Sequence, residues 1–282
     1  FRGADFRNLE KFKRDFPEAI TFPLSQNYRS TQKILDAATS VISNNTMHPI
    51  LSLWTDNHEG EEIIIFSAES EHSEAEFIID QVFQAKSKNP DINFSDVAIL
   101  YRTNAQSRAL EETFLHNSIP YVLVGGTRFY ERKEVKDVLS YLSYLANNKN
   151  KVALRRIEKI GKRRMEKFLD YVNQIKEKGN LDKKATIEIL DEILNKTDYI
   201  SLYDEKDPED KPRIENIKEL RSVAIEFPNI NQFLENVALV EQDYASTMGI
   251  AAMPDRATRE KPDAITMMTM HAAKGLEFKI VF

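Results

Sequence analysis

Near the end of this 282-residue chain four polar side chains arrive together: Thr269, His271, Lys274 and Glu277, with Gly275 among them. They follow an apolar run, Ile265 to Met270, of the kind that a strand buried on both faces needs, and they precede a second run, Ile280 to Phe282. Gly275 supplies a permissive backbone turn. The arrangement reads as strand, polar turn, strand, and in open parallel sheets ligands bind outside the carboxyl ends of strands. The alternative on spacing alone is an ordinary loop. A second set stands at the end of another apolar run, Val97 to Tyr101: Arg102, Thr103 and Asn104 could hold phosphates or cap the helix that starts near Gln106. Arg29, in Leu24-Ser-Gln-Asn-Tyr-Arg-Ser30, reads by itself as a solvated arginine beside a helix start. A third set is basic. Residues 149 to 167 carry nine Lys and Arg against two Glu, a net +7, and include Arg155, Lys162 and Arg163. In a chain of net charge -6 that is a segregated patch suited to neutralising phosphates.

The elements that must position these groups fall into two kinds. Up to about residue 126 the pattern alternates. Leu9, Phe12 and Phe16, with Phe6, are spaced like one helix face, and Ser30 is expected to cap a helix with Ile34, Ala37, Ala38, Val41 and Ile42 on its apolar side. Glu62 to Phe66 reads as a strand, and Ser73-Glu-Ala-Glu76 as the capping box of a helix with Ala75, Ile78, Ile79 and Val82 inward. Ile119 to Val124 is another strand, closed by Gly125-Gly126. Strands alternating with helices predict a parallel sheet. From Val135, with Val138, Leu139, Leu142 and Leu145 on one face, the period becomes 3.6 and stays helical to about residue 245. Asp204 to Pro212 reads as an acidic linker, and 244 to 263 as a flexible return.

Composition excludes several classes. The chain has no cysteine, hence no disulfide, Cys-ligated zinc or iron-sulfur cluster, which fits a reducing cytoplasm. No apolar stretch approaches about 18 residues, so no membrane span is expected. Any nucleic-acid binding must come from local patches, since the whole chain is acidic.

Thr269-Met-His-Ala-Ala-Lys-Gly-Leu-Glu-Phe278 resembles motif V of the superfamily 1A helicases, the UvrD/PcrA/Rep family of ATP-driven DNA translocases. The resemblance implies that Thr269 and His271, with Lys274 beside them, meet single-stranded DNA, and that Glu277 meets the ribose of ATP. Leu24 to Ser30 resembles motif IV, which implies that Arg29 reaches the γ-phosphate as an arginine finger, offsetting charge on the leaving phosphoryl group. Tyr101-Arg-Thr-Asn-Ala-Gln-Ser-Arg108 resembles motif IVa, so Arg102 and Asn104 inherit a single-strand contact. Phe1-Arg-Gly-Ala4 resembles the tail of motif III and implies base stacking by Phe1 with Arg2 beside it. Ala153-Leu-Arg-Arg-Ile157 resembles the duplex-binding segment of the helical domain 2B, although Ile160-Gly-Lys-Arg-Arg-Met165 keeps one glycine where the family pattern has more.

The expectation is therefore an α/β fold, a RecA-like parallel-sheet domain (2A) interrupted by an all-helical insertion (2B). Its divisions would be a tail of domain 1A over 1–22, 2A over 23–126, 2B over 127–260 and the return of 2A over 261–282. ATP and Mg²⁺ are the implied cofactors, single-stranded and duplex or junction DNA the implied partners, together with an N-terminal ATP-binding domain and repair or replication proteins. The location implied is cytoplasmic. No Gly-x-x-x-x-Gly-Lys-Ser/Thr occurs, and the chain opens without Met, so it reads as a piece of a longer protein with the phosphate loop and Mg²⁺ ligands elsewhere. Asp191-Glu192 sits in an amphipathic helix pattern and is assigned no metal. Two other readings stay open: a non-enzymatic DNA-binding or regulatory module, and a fragment of a RecB/AddA-type helicase-nuclease.

Overall fold

The computed structural model describes residues 7–45, 50–179, 181–251 and 262–282. Phe1 and Arg2, and with them the motif III resemblance and Phe6, lie outside the described residues. By packing, the chain divides into two compact units, Phe1–Ser67 and Ala68–Phe282.

The first unit holds helices α1 (Arg7–Asp15) and α2 (Gln32–Ile42) and one parallel bridge, Gln26 to Trp54. Several sequence expectations need correction here. Thr31, not Ser30, is the N-cap of α2, and its side chain makes no capping bond. Ser30 instead gives its backbone N–H to Asn27 Oδ1 at 2.8 Å, in a turn that precedes the helix. Leu35 is the buried residue of α2, whereas Ile34, Val41 and Ile42 are exposed. Glu62 to Phe66 forms no ladder. A strand-length apolar run becomes a strand only where another strand satisfies its N–H and C=O groups, and among the described residues this one joins no ladder. Gly60 is held at φ +84°, and a Cβ there would come within 2.5 Å of Thr31, so that position admits no side chain without displacement.

The second unit is built on a four-stranded sheet whose pairings among the described residues are all parallel. Its strands are β1 (Val97–Tyr101), β2 (Tyr121–Val124), β3 (Ile265–Thr269) and β4 (Ile280–Val281), in the order β2-β3-β1-β4. The strand latest but one in the sequence thus lies between two early ones. Its register is Tyr101 opposite Thr269 and Tyr121 opposite Ile265. Ile265, Met267 and Met268 are fully buried, as an apolar run without alternation requires.

Helix α3 (Glu71–Lys88) begins earlier than the Ser73 box implies. Ser70 is its N-cap and Ser73 the reciprocal partner: a serine side chain reaches back as well as a glutamate does, so the box slides three residues. Its buried residues are Ala75, Ile78, Ile79 and Val82, the face expected. After β1 comes α4 (Ser107–His116), and after β2 come α5 (Lys133–Ala146), α6 (Lys151–Ile160), α7 (Lys162–Lys178), α8 (Thr186–Thr197), α9 (Lys211–Glu226) and α10 (Ile230–Ala251). Helix α10 continues through 244–251, part of the stretch read as a flexible return; the amphipathic pattern that starts it carries Val237, Val240 and Tyr244 into the core, and propagation costs less than a new turn. Pro212 stands in the first turn of α9, where its missing N–H leaves no bond unmade.

One hydrophobic core runs through this unit. Ile99, Tyr101 and Met267 of the sheet share it with Leu142 of α5, Ile193 of α8 and Phe233 of α10. Packing therefore shows no break near residue 126. Helix α5 explains why: Glu134, Asp137 and Ser140 are buried along with its apolar face, because α6, α8, α9 and α10 all pack against it.

Candidate nucleic-acid interface

The carboxyl edge of the sheet brings distant residues together. β1 and β3 run in parallel with Tyr101 beside Thr269, and Met270 N–H still donates to the Tyr101 carbonyl at 3.0 Å. The next residues of both strands must therefore leave the sheet side by side. Arg102 Nη1 lies 3.4 Å from His271 Nδ1 and 3.3 Å from Nε2, across 169 residues of sequence. Both side chains are exposed. A guanidinium beside an imidazole offers donors on a common edge to an anion.

Local bonds hold each arm. The Gln106 side-chain oxygen accepts from the N–H groups of Arg102 (2.9 Å) and Thr103 (3.0 Å), closing the loop after β1 into a 3-10 turn over Asn104–Gln106. Asn104, half-buried, faces Gly126 at the end of β2: a Cβ built there would meet Asn104 Oδ1 at 3.7 Å. The Thr269 carbonyl accepts from Ala272 N–H at 2.9 Å and Ala273 N–H at 3.2 Å, which turns the chain sharply after β3. Gly275 then sits at φ +87°, a conformation that favours glycine. Lys274 and Glu277 are exposed along this turn. Lys279 closes it, donating its N–H to the Asp96 carbonyl and Nζ to the Asp96 carboxylate, both at 3.0 Å. The Asn93 backbone N–H, with Lys279, holds the Asp96 carboxyl below its ordinary range.

Arg29 belongs to the first unit. Asn27 Oδ1 accepts its backbone N–H at 2.9 Å, which fixes the turn and leaves the side chain exposed. The structure divides the basic patch. Arg156 is spent on Asp137 (2.6 Å) and the Lys133 carbonyl, and Arg164 on Asp198 and Ser201. Arg155, Lys162 and Arg163 are exposed. Gly161, at φ +143°, ends α6 and begins α7 in one residue, so Lys162 and Arg163 occupy the first turn of α7. Cations there oppose the helix dipole, at about 0.3–1 kcal/mol each, a cost that a bound phosphate would offset.

What sequence reasoning missed is a buried polar network behind this edge. Arg108, fully buried, donates to Glu112 (2.9 Å), Glu219 (2.6 Å) and Glu71. Arg132 donates to Asn216 (2.7 Å) and Ser107 (2.9 Å) and lies 3.8 Å from Glu111. Glu111 in turn accepts from Ser107 and Tyr244. Burial raises the Glu111 carboxyl and lowers the Arg132 guanidinium, so desolvation of both exceeds what their pairing returns. The network ties α4, which starts directly after the Arg102 loop, to α5, α9 and α10. No local signal could reveal it, because the partners lie up to 133 residues apart. Asp191 accepts both nitrogens of Arg221, at 2.6 and 2.8 Å, and Glu192 accepts from Tyr171 and Lys184. Among the described residues Glu71, His72 and Glu226 bring possible metal-ligating atoms within 4.8 Å of one another, but Glu71 already serves Arg108. Among those residues no helix is long and apolar enough to cross a membrane.

The UvrD-like helicase C-terminal domain model matches residues 22–203 and 158–282. The chain is 39% identical over 320 residues to an ATP-dependent DNA helicase PcrA of Staphylococcus aureus (strain Mu50 / ATCC 700699), and equally to one of Staphylococcus epidermidis (strain ATCC 12228 / FDA PCI 1200). Each alignment covers 100% of this chain and 43% of the relative, so the chain spans less than half the length of the curated relatives it matches. With a parallel sheet, the motif residues at its carboxyl edge and a family match along nearly its whole length, the chain belongs to the UvrD-like helicase C-terminal domain family.

Proposed function

We propose that this chain is the second motor portion of an ATP-dependent 3'-5' DNA helicase, supplying single-stranded DNA contacts and an arginine finger. The observation that carries the reading is the meeting of Arg102 and His271 at the carboxyl edge of β1 and β3. Donors converging there suit a phosphodiester backbone, which every sequence shares, and that is what a translocase must hold. Asn104, Thr269 and Lys274 extend this contact, and Phe1 with Arg2 adds base stacking. Glu277 is read as the ribose contact of ATP and Arg29 as the group that reaches the γ-phosphate. Arg155, Lys162 and Arg163 meet duplex or junction DNA. In the whole enzyme ATP with Mg²⁺ sits against an N-terminal ATP-binding domain. Residues 127–260 then act as the 2B insertion of domain 2A, despite the shared core. The setting is the cytoplasm, with repair or replication proteins as partners.

Fluorescence anisotropy with a labelled oligonucleotide tests the central claim. Arg102→Ala and His271→Ala should each weaken single-stranded DNA binding by about tenfold and lower the salt slope. Unchanged affinity in both variants would sink the reading. A non-enzymatic DNA-binding module would show the same losses, and the whole protein's DNA-stimulated ATPase separates the two.

A further inference from the structure

We propose that the helical region carries a ligand site of its own, a pocket for a free nucleoside polyphosphate where α5, α6, the Ile200–Leu202 turn and the start of α9 converge. The cavity has a volume of about 610 Å³, within the range of small-molecule sites. Its lining holds five cations, Lys133, Arg155, Arg156, Lys159 and Arg213, against a single carboxylate, Asp137. That carboxylate is 4% exposed and already accepts from Arg156 Nε at 2.6 Å and Tyr199 OH at 3.0 Å. Arg213 is paired with Asp210 at 2.6 Å. Among the described residues this leaves Lys133, Arg155 and Lys159 facing the cavity without a carboxylate in ion-pairing reach. Like charges gathered in a concave place repel one another, and an anion with several charges relieves all of them at once.

The rest of the lining decides what kind of anion fits. Val152 is 79% exposed and Leu202 40%, and with Ile160 and the Tyr203 ring they add apolar surface to the lining, Val152 and Ile160 from the same helix as Arg155, Arg156 and Lys159. Arg213 lies 5.7 Å from the Tyr203 ring centre, which steadies an aromatic surface there. Cations interleaved with apolar and aromatic side chains match a polyphosphate joined to a base. Duplex DNA is a poorer match, since the exposed Lys162 and Arg163 do not line the cavity. The proposal stands apart from the DNA reading except at Arg155, so Lys133 and Lys159, both exposed, are the residues to change.

The test is isothermal titration of ATP, and separately of inorganic triphosphate, into the 282-residue chain in Mg²⁺-free buffer. The chain holds no phosphate loop that could bind ATP instead. One saturable site for ATP is expected. Lys133→Glu combined with Lys159→Glu should weaken it by about tenfold or more, with the circular dichroism spectrum unchanged. Tyr203→Leu should abolish the preference for ATP over triphosphate. Four outcomes overturn the proposal: no saturation by about 1 mM ATP; triphosphate binding as tightly as ATP; undiminished binding in the double variant; or binding lost in Arg29→Ala and kept in the double variant, which would put the nucleotide at Arg29. If the double variant loses duplex binding and keeps ATP, the pocket is a DNA surface and the proposal fails while the helicase reading survives.

Discussion

Replacing Arg108 with methionine should destabilise the second unit by about 3–5 kcal/mol, the range for breaking a buried ion pair by removing one partner. The guanidinium is fully buried and meets three carboxylates. Those partners differ in how far water can rescue them: the Glu112 side chain is 10% exposed, Glu219 19% and Glu71 44%. Methionine would fill the volume but leave Glu112 and Glu219 as poorly solvated, uncompensated charges, each losing a charge-assisted bond worth about 1.5–3 kcal/mol. Glu71 would turn to water at little cost. The Arg221 and Asp191 pair provides the control. Its bonds are as short, at 2.6 and 2.8 Å, yet its side chains are 41% and 37% exposed, so Arg221→Ala should cost under about 1 kcal/mol. Urea unfolding followed by far-ultraviolet circular dichroism reads the right unit, since α3 to α10 all belong to it, while Trp54, the chain's single tryptophan, marks the other. Adding Glu112→Gln and Glu219→Gln to Arg108→Met should recover much of the loss, because the charges left behind are what cost most. Equal costs for Arg108→Met and Arg221→Ala would refute the argument that burial, and not bond geometry, sets the magnitude.

Other expectations concern titration and function. Burial raises the Glu111 carboxyl above its unfolded value of 4.5. Its protonation therefore stabilises the fold fully below that pH, and the contribution is lost as pH rises through the higher folded value. Thermal melts of Glu111→Gln and the parent chain should show the parent's relative stability falling as pH rises from 4.5 toward neutrality; a difference independent of pH would contradict this. In the whole enzyme Arg29→Ala should lower kcat by about 10³-fold with DNA affinity near normal, as a finger arginine acts on transition-state charge. Collapse of DNA binding in that variant would remove Arg29 from the catalytic role. Charge reversal at Lys162 and Arg163 should weaken duplex binding and flatten its salt dependence more than it affects single strands, and equal losses on both substrates would end that division.

Two of the strands, and the polar groups beyond their ends, can be read from residue order. Val97–Tyr101 and Ile265–Thr269 are legible because a strand buried on both faces must be continuously apolar, and the meeting of the polar groups after them is legible because parallel strands end together. The inward face of α3 was likewise written in its period. Glu62–Phe66 has the same local signature and no ladder, for strand pairing is a property of two segments and only one is visible at a time. Which charges are spent depends on packing between distant elements. Arg108, Arg132 and Arg156 look as solvated in the sequence as Arg155 does, yet the first two are buried and the third is bound to Asp137, while Arg155 remains exposed. A charge enters a core only where partners from distant elements replace its water, and those partners, Glu219 and Asn216 among them, reach Arg108 and Arg132 through the packing of α9 against the rest of the unit.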